Sequence, residues 1–385
     1  MTGRASGLPF HQDPLGFLDQ VFPAAGDAIW LPQQQLCLAA PAAARAVLSN
    51  AAGLYQEHSD FFHTRHGTFG PRAVQVEIGR AARALLRRHL VAHADELAAS
   101  VRRALVPTSA WPDTGNWLVY RHLAAALLAP DTPVRLRLLL DEIVRRAVLA
   151  GARQRYSRVT RAVFRFRVEQ ALALAIEARR ARGAGPPADL LDVVVGAAGP
   201  AVPAAELAEV FLSFVFAVAG SVGFVLGWSV YLLGTNAPTD AEPGWVVREA
   251  LRLWPVAWML GRRPATPHEL AGVVVTPQDE VLVCPYLVHR HPHFWDDPTR
   301  FRPERWATVQ RHQAFIPFGW GPHTCAAAGL STQLVEDILR TIVDDYHLTL
   351  TCHDPRPCVG PALAPPRFTL GLVAQRGIHH TKGGD

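Results

Sequence analysis

The sequence predicts a mainly α-helical protein with small β-sheets, an α+β fold, laid out as one domain over residues 1–385. Three observations carry that expectation. Long alanine-, leucine- and arginine-rich segments repeat their apolar residues at helical period. An uncharged stretch from Val210 to Leu233 is long enough for one central helix buried on all sides. Strand-like alternation is confined to short pieces that cluster late in the chain. With 385 residues and 49% hydrophobic content, the chain has the material for a large core.

Taken in order, the N-terminus "MTGRASGLPFHQDPLGF" has no apolar run of the kind found in a signal peptide or anchor, so a cytoplasmic protein is expected. Cys37, Cys284, Cys325, Cys352 and Cys358 are odd in number and irregularly spaced, which argues against a disulfide framework. Helical period marks Glu77 to Leu105, Val134 to Ala150 and Arg158 to Arg182. Proline and glycine punctuate the chain at "GAGPPADLL" and "GTNAPTDAEPGW". The apolar stretch from Val210 is long enough to cross a bilayer and contains Gly223-x-x-x-Gly227, but it lacks basic flanks and follows Glu206 and Glu209. A buried helix with no membrane contact is the preferred reading. Gly220, Gly223 and Gly227 then share a face that a flat ligand can approach closely. Short strands are expected in "AGVVVTPQDEVLVCP", "HLTLTC" and "RFTLGLV".

The net charge of +5 is almost all arginine, Lys382 being the sole lysine. Such a balance suits acidic partners. Runs such as "RRARG" lack interleaved aromatics and read as solvated helix faces, so no nucleic-acid partner is expected.

The stretch richest in chemistry is "IPFGWGPHTCAAAG", Ile316 to Gly329. It sets Cys325 at the end of a glycine- and proline-rich loop, just before a helical run. Free amides and the macrodipole at a helix N-terminus favour a thiolate, and a thiolate is a good metal ligand. Gly319 and Gly321 give the loop freedom to bend around the sulfur, and Phe318 is placed to shield it.

This loop resembles the haem-binding signature of the cytochrome P-450 superfamily through Phe318, Gly321 and Cys325. "EALRLWP", with Glu249 and Arg252, and "FRPERW", with Arg305, resemble two further motifs of that family in the expected order. The resemblance covers nearly the whole chain and implies a long central helix over haem. It implies haem b, with Cys325 as the axial ligand of the iron. It also implies that Glu249, Arg252 and Arg305 have a structural role in holding the cysteine loop. His323, Arg262 and Arg87 match positions that hold the haem propionates; Arg83, where tryptophan or histidine is usual, is either a further propionate donor or a solvated side chain.

Three departures stand out. The chain between Leu233 and Glu249 is too short for the helices usual there, and Ala327 replaces a glycine. The central helix reads Ala219-Gly220-Ser221-Val222-Gly223, near the expected oxygen site, with Val222-Gly223 in place of an acid–threonine pair. Ser221 comes one place too early to serve, so no catalytic side chain is assigned. The implied function is a soluble haem-thiolate monooxygenase acting on a bulky natural product (polyketide, terpene or peptide). Ferredoxin or flavodoxin and a reductase would supply its electrons. The missing pair raises an alternative, a peroxide-driven or redox-neutral haem enzyme catalysing coupling, cyclisation or dehydration.

Overall fold

The computed structural model describes residues 9–149, 157–183, 185–236, 240–309 and 312–375. The chain opens with α1 (Pro14–Ala25), β1 (Ala28–Leu31), β2 (Gln35–Leu38), α2 (Pro41–Ser49), β3 (His63–Thr64) and β4 (Gly67–Thr68). A helical region follows: α3 (Arg72–Ala92), α4 (Ala94–Ala104), strand β5 (Thr108–Trp111), α5 (Asp113–Leu127), α6 (Val134–Ala147), α7 (Arg158–Arg182) and α8 (Leu190–Ala197). The central helix is α9 (Ala204–Phe216), a π-helical turn (Ala217–Val222) and α10 (Gly223–Thr235) in unbroken succession. The last part holds α11 (Pro243–Leu253), β6 (Leu260–Arg262), β7 (His268–Leu270), β8 (Val273–Val275), β9 (Glu280–Val283), α12 (Pro285–Val288), α13 (Ala328–Asp345), β10 (Tyr346–Thr351) and β11 (Phe368–Ala374).

Local chemistry explains several of these boundaries. Ser157 and Asp189 cap α7 and α8 by accepting the amides of Thr160 and Asp192. Proline opens α2 and α11, where the missing amide costs nothing. The helical run around Glu77 to Leu105 divides into α3 and α4 at His93, whose φ of −115° and ψ of 16° leave the helical region.

The strands also differ from expectation, because both larger sheets draw strands from the first third of the chain. Sheet order β1-β2-β9-β6 sets Leu36 parallel to Val281, and order β10-β11-β5 sets Thr369 opposite Ala110. β1, β2 and β5 have four residues each; β1 pairs with its neighbour β2, while β2 and β5 are held by β9 and β11, far along the chain. Between Thr235 and Pro243 no described residue is helical, in keeping with a shortened connection; residues 237–239 lie outside the described ones.

The main core gathers around the central helix. Phe211, Val215, Ala219, Leu226 and Val230 are fully buried, with α5, α8 and α13 contributing to the same cluster. Ala204–Thr235 is long and apolar enough to cross a membrane, yet its most apolar window is 67% buried within the fold. The apolar stretch is therefore spent on protein packing.

Candidate functional site

Glu249 and Arg252 lie one turn apart on α11, both fully buried, and form a two-pronged ion pair at 2.7 and 2.9 Å. Such a pair is stable away from water only when its remaining valences are satisfied. Here they are. Arg305 Nε, the Arg302 amide and Trp306 Nε1 also donate to the Glu249 carboxylate, at 3.2, 3.0 and 2.9 Å. The Arg252 guanidinium donates to the carbonyls of His289, Pro298 and Arg300. The expected trio thus assembles and ties α11 to the stretch from Pro298 to Trp306.

His289 extends this network to the cysteine loop, a role sequence reading missed. Its Nδ1 donates to the Arg252 carbonyl at 3.2 Å, and its Nε2 accepts the Ile316 amide at 2.8 Å. That pattern requires the neutral ring. Complete burial, with Arg252 and Arg290 nearby, lowers its pKa to about 3. A histidine at the head of the "HRHPH" run gives no sequence signal of this kind, since its partners are main-chain atoms.

From Ile316 the chain enters the loop. The Gly319 amide donates to the Ile316 carbonyl, and the Cys325 amide closes the loop on the Phe318 carbonyl at 3.0 Å. Gly319 and Gly321 both adopt φ of +74°, a conformation that favours glycine. At Gly321 a β-carbon would also lie 2.6 Å from Ser49 Cα, because the loop presses on the end of α2. Phe318 is half-buried and packs against the main core. Ala327 has φ of −100°, which alanine adopts without strain.

Cys325 precedes α13 by three residues, and the amides of Ala327 and Ala328 point at its sulfur. The sequence expectation of a favoured thiolate needs correcting: desolvation pushes the free thiol's pKa up, and the two amides offset this only in part. Yet Cys325 is solvent-accessible. A residue both open and desolvated lines a concavity rather than a convex surface.

Beside the loop, His323 and Arg262 converge. Arg262, on β6, is 5% exposed and pairs with Asp60 at 3.0 Å; His323 pairs with Glu57 at 3.0 Å. They share a cleft with Gln56, His58 and Arg72. Arg87 does not join them. It is exposed on α3, eight residues or about 12 Å along the axis from Gly79, the point where α3 meets Ala326 of the loop. The arginine that α3 brings to the loop is Arg72, which donates to the Pro322 carbonyl. Among the expected arginines of α3, none lines this cleft; Arg72 does. Arg83 is likewise exposed.

The glycine face of the central helix also differs from expectation. Ala219 and Gly220 are buried, and both carbonyls accept from Asn116 Nδ2 of α5, at 2.6 and 3.3 Å. A β-carbon at Gly223 would lie 2.6 Å from Asn116 Cα, and one at Gly227 3.0 Å from Pro365 Cγ. This face receives α5 and two prolines rather than a flat ligand.

The family profile described as Cytochrome P-450 matches residues 244–370, which hold the Glu249 network and the Cys325 loop. Residues 244–370 thus carry the sequence pattern of the cytochrome P-450 family. A mouse relative, cytochrome P-450 4V2, is 28% identical over 188 residues, covering 41% of this chain and 36% of that one. Cyclooctat-9-en-7-ol 5-monooxygenase of Streptomyces melanosporofaciens is 36% identical over 107 residues, 27% of this chain and 23% of that one. The matches thus span well under half the length of these relatives. In fold, a zebra fish cytochrome P-450 solved with abiraterone superposes with a TM-score of 0.71 at 18% identity, covering 94% of this chain and 99% of that one.

The cytochrome P-450 match implies a haem, and the residues fit one. Cys325 presents an accessible sulfur backed by two amides. His323 Nδ1 is buried with no hydrogen-bond partner among the described residues, and Arg72 and Arg262 line the same cleft. A soft sulfur ligand next to a cleft lined by Arg72, Arg262 and His323, with Glu57 beside them, offers donors for iron and two propionates.

Proposed function

We propose that this P-450 is a haem-thiolate monooxygenase of the soluble type, with haem b held by Cys325, that oxidises a bulky natural product with electrons from a ferredoxin or flavodoxin system. The observation that carries the reading is the Cys325 loop, tied through Ile316, His289 and Arg252 to Glu249. Thiolate-ligated haem supplies oxygen activation, because the sulfur's electron donation favours O–O cleavage. The protein's part is positional. The amides of Ala327 and Ala328 hold the sulfur, while His323, Arg262 and Arg72 anchor the propionates. The substrate class is supported by the names of two Streptomyces relatives, cyclooctat-9-en-7-ol 5-monooxygenase and cyclooctatin synthase. Absorption of the reduced carbon monoxide complex tests the ligand: a strongly red-shifted band that Cys325→Ala abolishes supports it, and an unchanged band in that variant overturns it.

A second reading keeps the haem and drops the reductase. Gly223 abuts Asn116, and Val222 is apolar, so neither carries the acid–threonine pair. Product formed with peroxide alone, or with no oxidant at all, selects this reading over one that requires NADPH and redox partners.

A further inference from the structure

Three arginines of α7 stand apart from the others on that helix. Arg167 pairs with Glu142, Arg179 with Asp189 and Asp192, Arg180 with Glu177, and Arg182 with Asp192. Arg158, Arg161 and Arg165 are exposed and have no carboxylate partner among the described residues. At the helical period they fall within about 60° of one another, over an axial rise of about 10 Å. Val168, Leu172 and Ile176 continue the same side of the helix and are buried. The arginines thus occupy the body-facing side of α7 at the end where every residue from Ser157 to Val163 is exposed.

That arrangement is electrostatically unfavourable as it stands. Arg158 and Arg161 are three residues apart, and Arg161 and Arg165 four, so each pair sets like charges side by side. The first turn of α7 holds no acidic residue, and cations near a helix N-terminus oppose the macrodipole. An anion relieves both effects at once. With Ala162, Phe166 and Glu169 the three arginines line an open cavity of about 350 Å³. Glu169, the acid of that lining, is already bonded to Arg65 at 3.0 Å, and Arg65 also pairs with Glu209 of the central helix. The positive charge of the cavity is therefore left uncompensated. Phe166 and Ala162 add an apolar wall, the phenylalanine being 63% exposed.

We infer that Arg158, Arg161 and Arg165 form a binding site for a phosphate monoester carried on an apolar group. A phosphate monoester is close to doubly charged and offers three oxygens, which guanidinium forks engage in pairs. Its apolar group lies against Phe166 and Ala162. This site is distinct from the cleft of Arg72, Arg262 and His323 and needs no haem.

Calorimetric titration of the holoprotein with phenyl phosphate tests the inference, with inorganic phosphate and benzoate as comparators. Saturable binding is expected, weakening as salt is raised. Each of Arg158→Gln, Arg161→Gln and Arg165→Gln is expected to lower the affinity about three- to tenfold, and the triple variant to abolish binding. Lysine at the three positions keeps the charge and loses the fork, so it gives an intermediate affinity. Phe166→Ala weakens phenyl phosphate and leaves inorganic phosphate unchanged. Absence of saturable phenyl phosphate binding overturns the inference, as does binding that the triple variant retains. Benzoate binding as tightly as phenyl phosphate overturns the phosphate class. The three single variants decide if the triple variant does not fold. Co-sedimentation with phosphatidylcholine vesicles, with and without phosphatidic acid, then separates the sources. Arginine-dependent pelleting only with phosphatidic acid assigns the ester to a lipid headgroup, and its absence alongside phenyl phosphate binding assigns it to a soluble molecule.

Discussion

Gly321 meets two independent demands, a φ of +74° and the close approach of Ser49. Gly321→Ala is therefore expected to cost about 1–3 kcal/mol, because neither the backbone angle nor the end of α2 relaxes cheaply. Chemical denaturation, with haem retention measured alongside, checks this. Glu249 is the other residue on which the loop depends. Glu249→Ala leaves Arg252 charged and unpaired in the interior, a loss of about 3–5 kcal/mol. The expected outcome is poor haem retention even though position 249 is not assigned a haem contact. Wild-type haem content in that variant would show that the network does not support the loop.

At the scale of elements, the packing of α5 on the central helix decides what that helix tolerates. Restoring the usual motif by Gly223→Thr, with or without Val222→Asp, has an appealing logic in sequence alone. In the structure the new β-carbon meets Asn116 Cα, a backbone atom that cannot swing aside. Gly223→Thr is thus expected to destabilise the protein by about 1–3 kcal/mol through overpacking, and to show no gain in coupling. A thermal melt separates this from Gly220→Ala. There an added β-carbon meets Val148 and Phe224 at ordinary contact distances of 3.8 and 3.9 Å, so the smaller loss is expected.

Over the whole molecule, two histidines link stability to pH. His289 titrates near 3 and His122 near 4, each lowered from 6.5 first by burial and then by neighbouring positive groups. The unfolded chain takes up these protons at a higher pH than the folded one. The stability they confer is full above about pH 6.5 and is lost as pH falls toward 4 and then 3. Each contributes a slope of about 1.4 kcal/mol per pH unit within its window. His289→Gln is expected to flatten the acid limb of an unfolding-against-pH curve by roughly one proton. An unaltered slope would mean that the ring is not neutral in the folded state.

What the sequence determined by itself was whatever depends on local composition. The extent of α7 and the apolar central helix were legible because glycine, proline and period act on near neighbours, while the association of Glu249, Arg252 and Arg305 with the Cys325 loop was legible through the family resemblance. Tertiary structure decided whatever depends on distant partners. β2 and β5 pair with strands far along the chain, and His289 matters because main-chain atoms of Arg252 and Ile316 flank it. Arg72, rather than Arg87, meets the loop because tertiary packing, and no motif, sets which arginine of α3 arrives there.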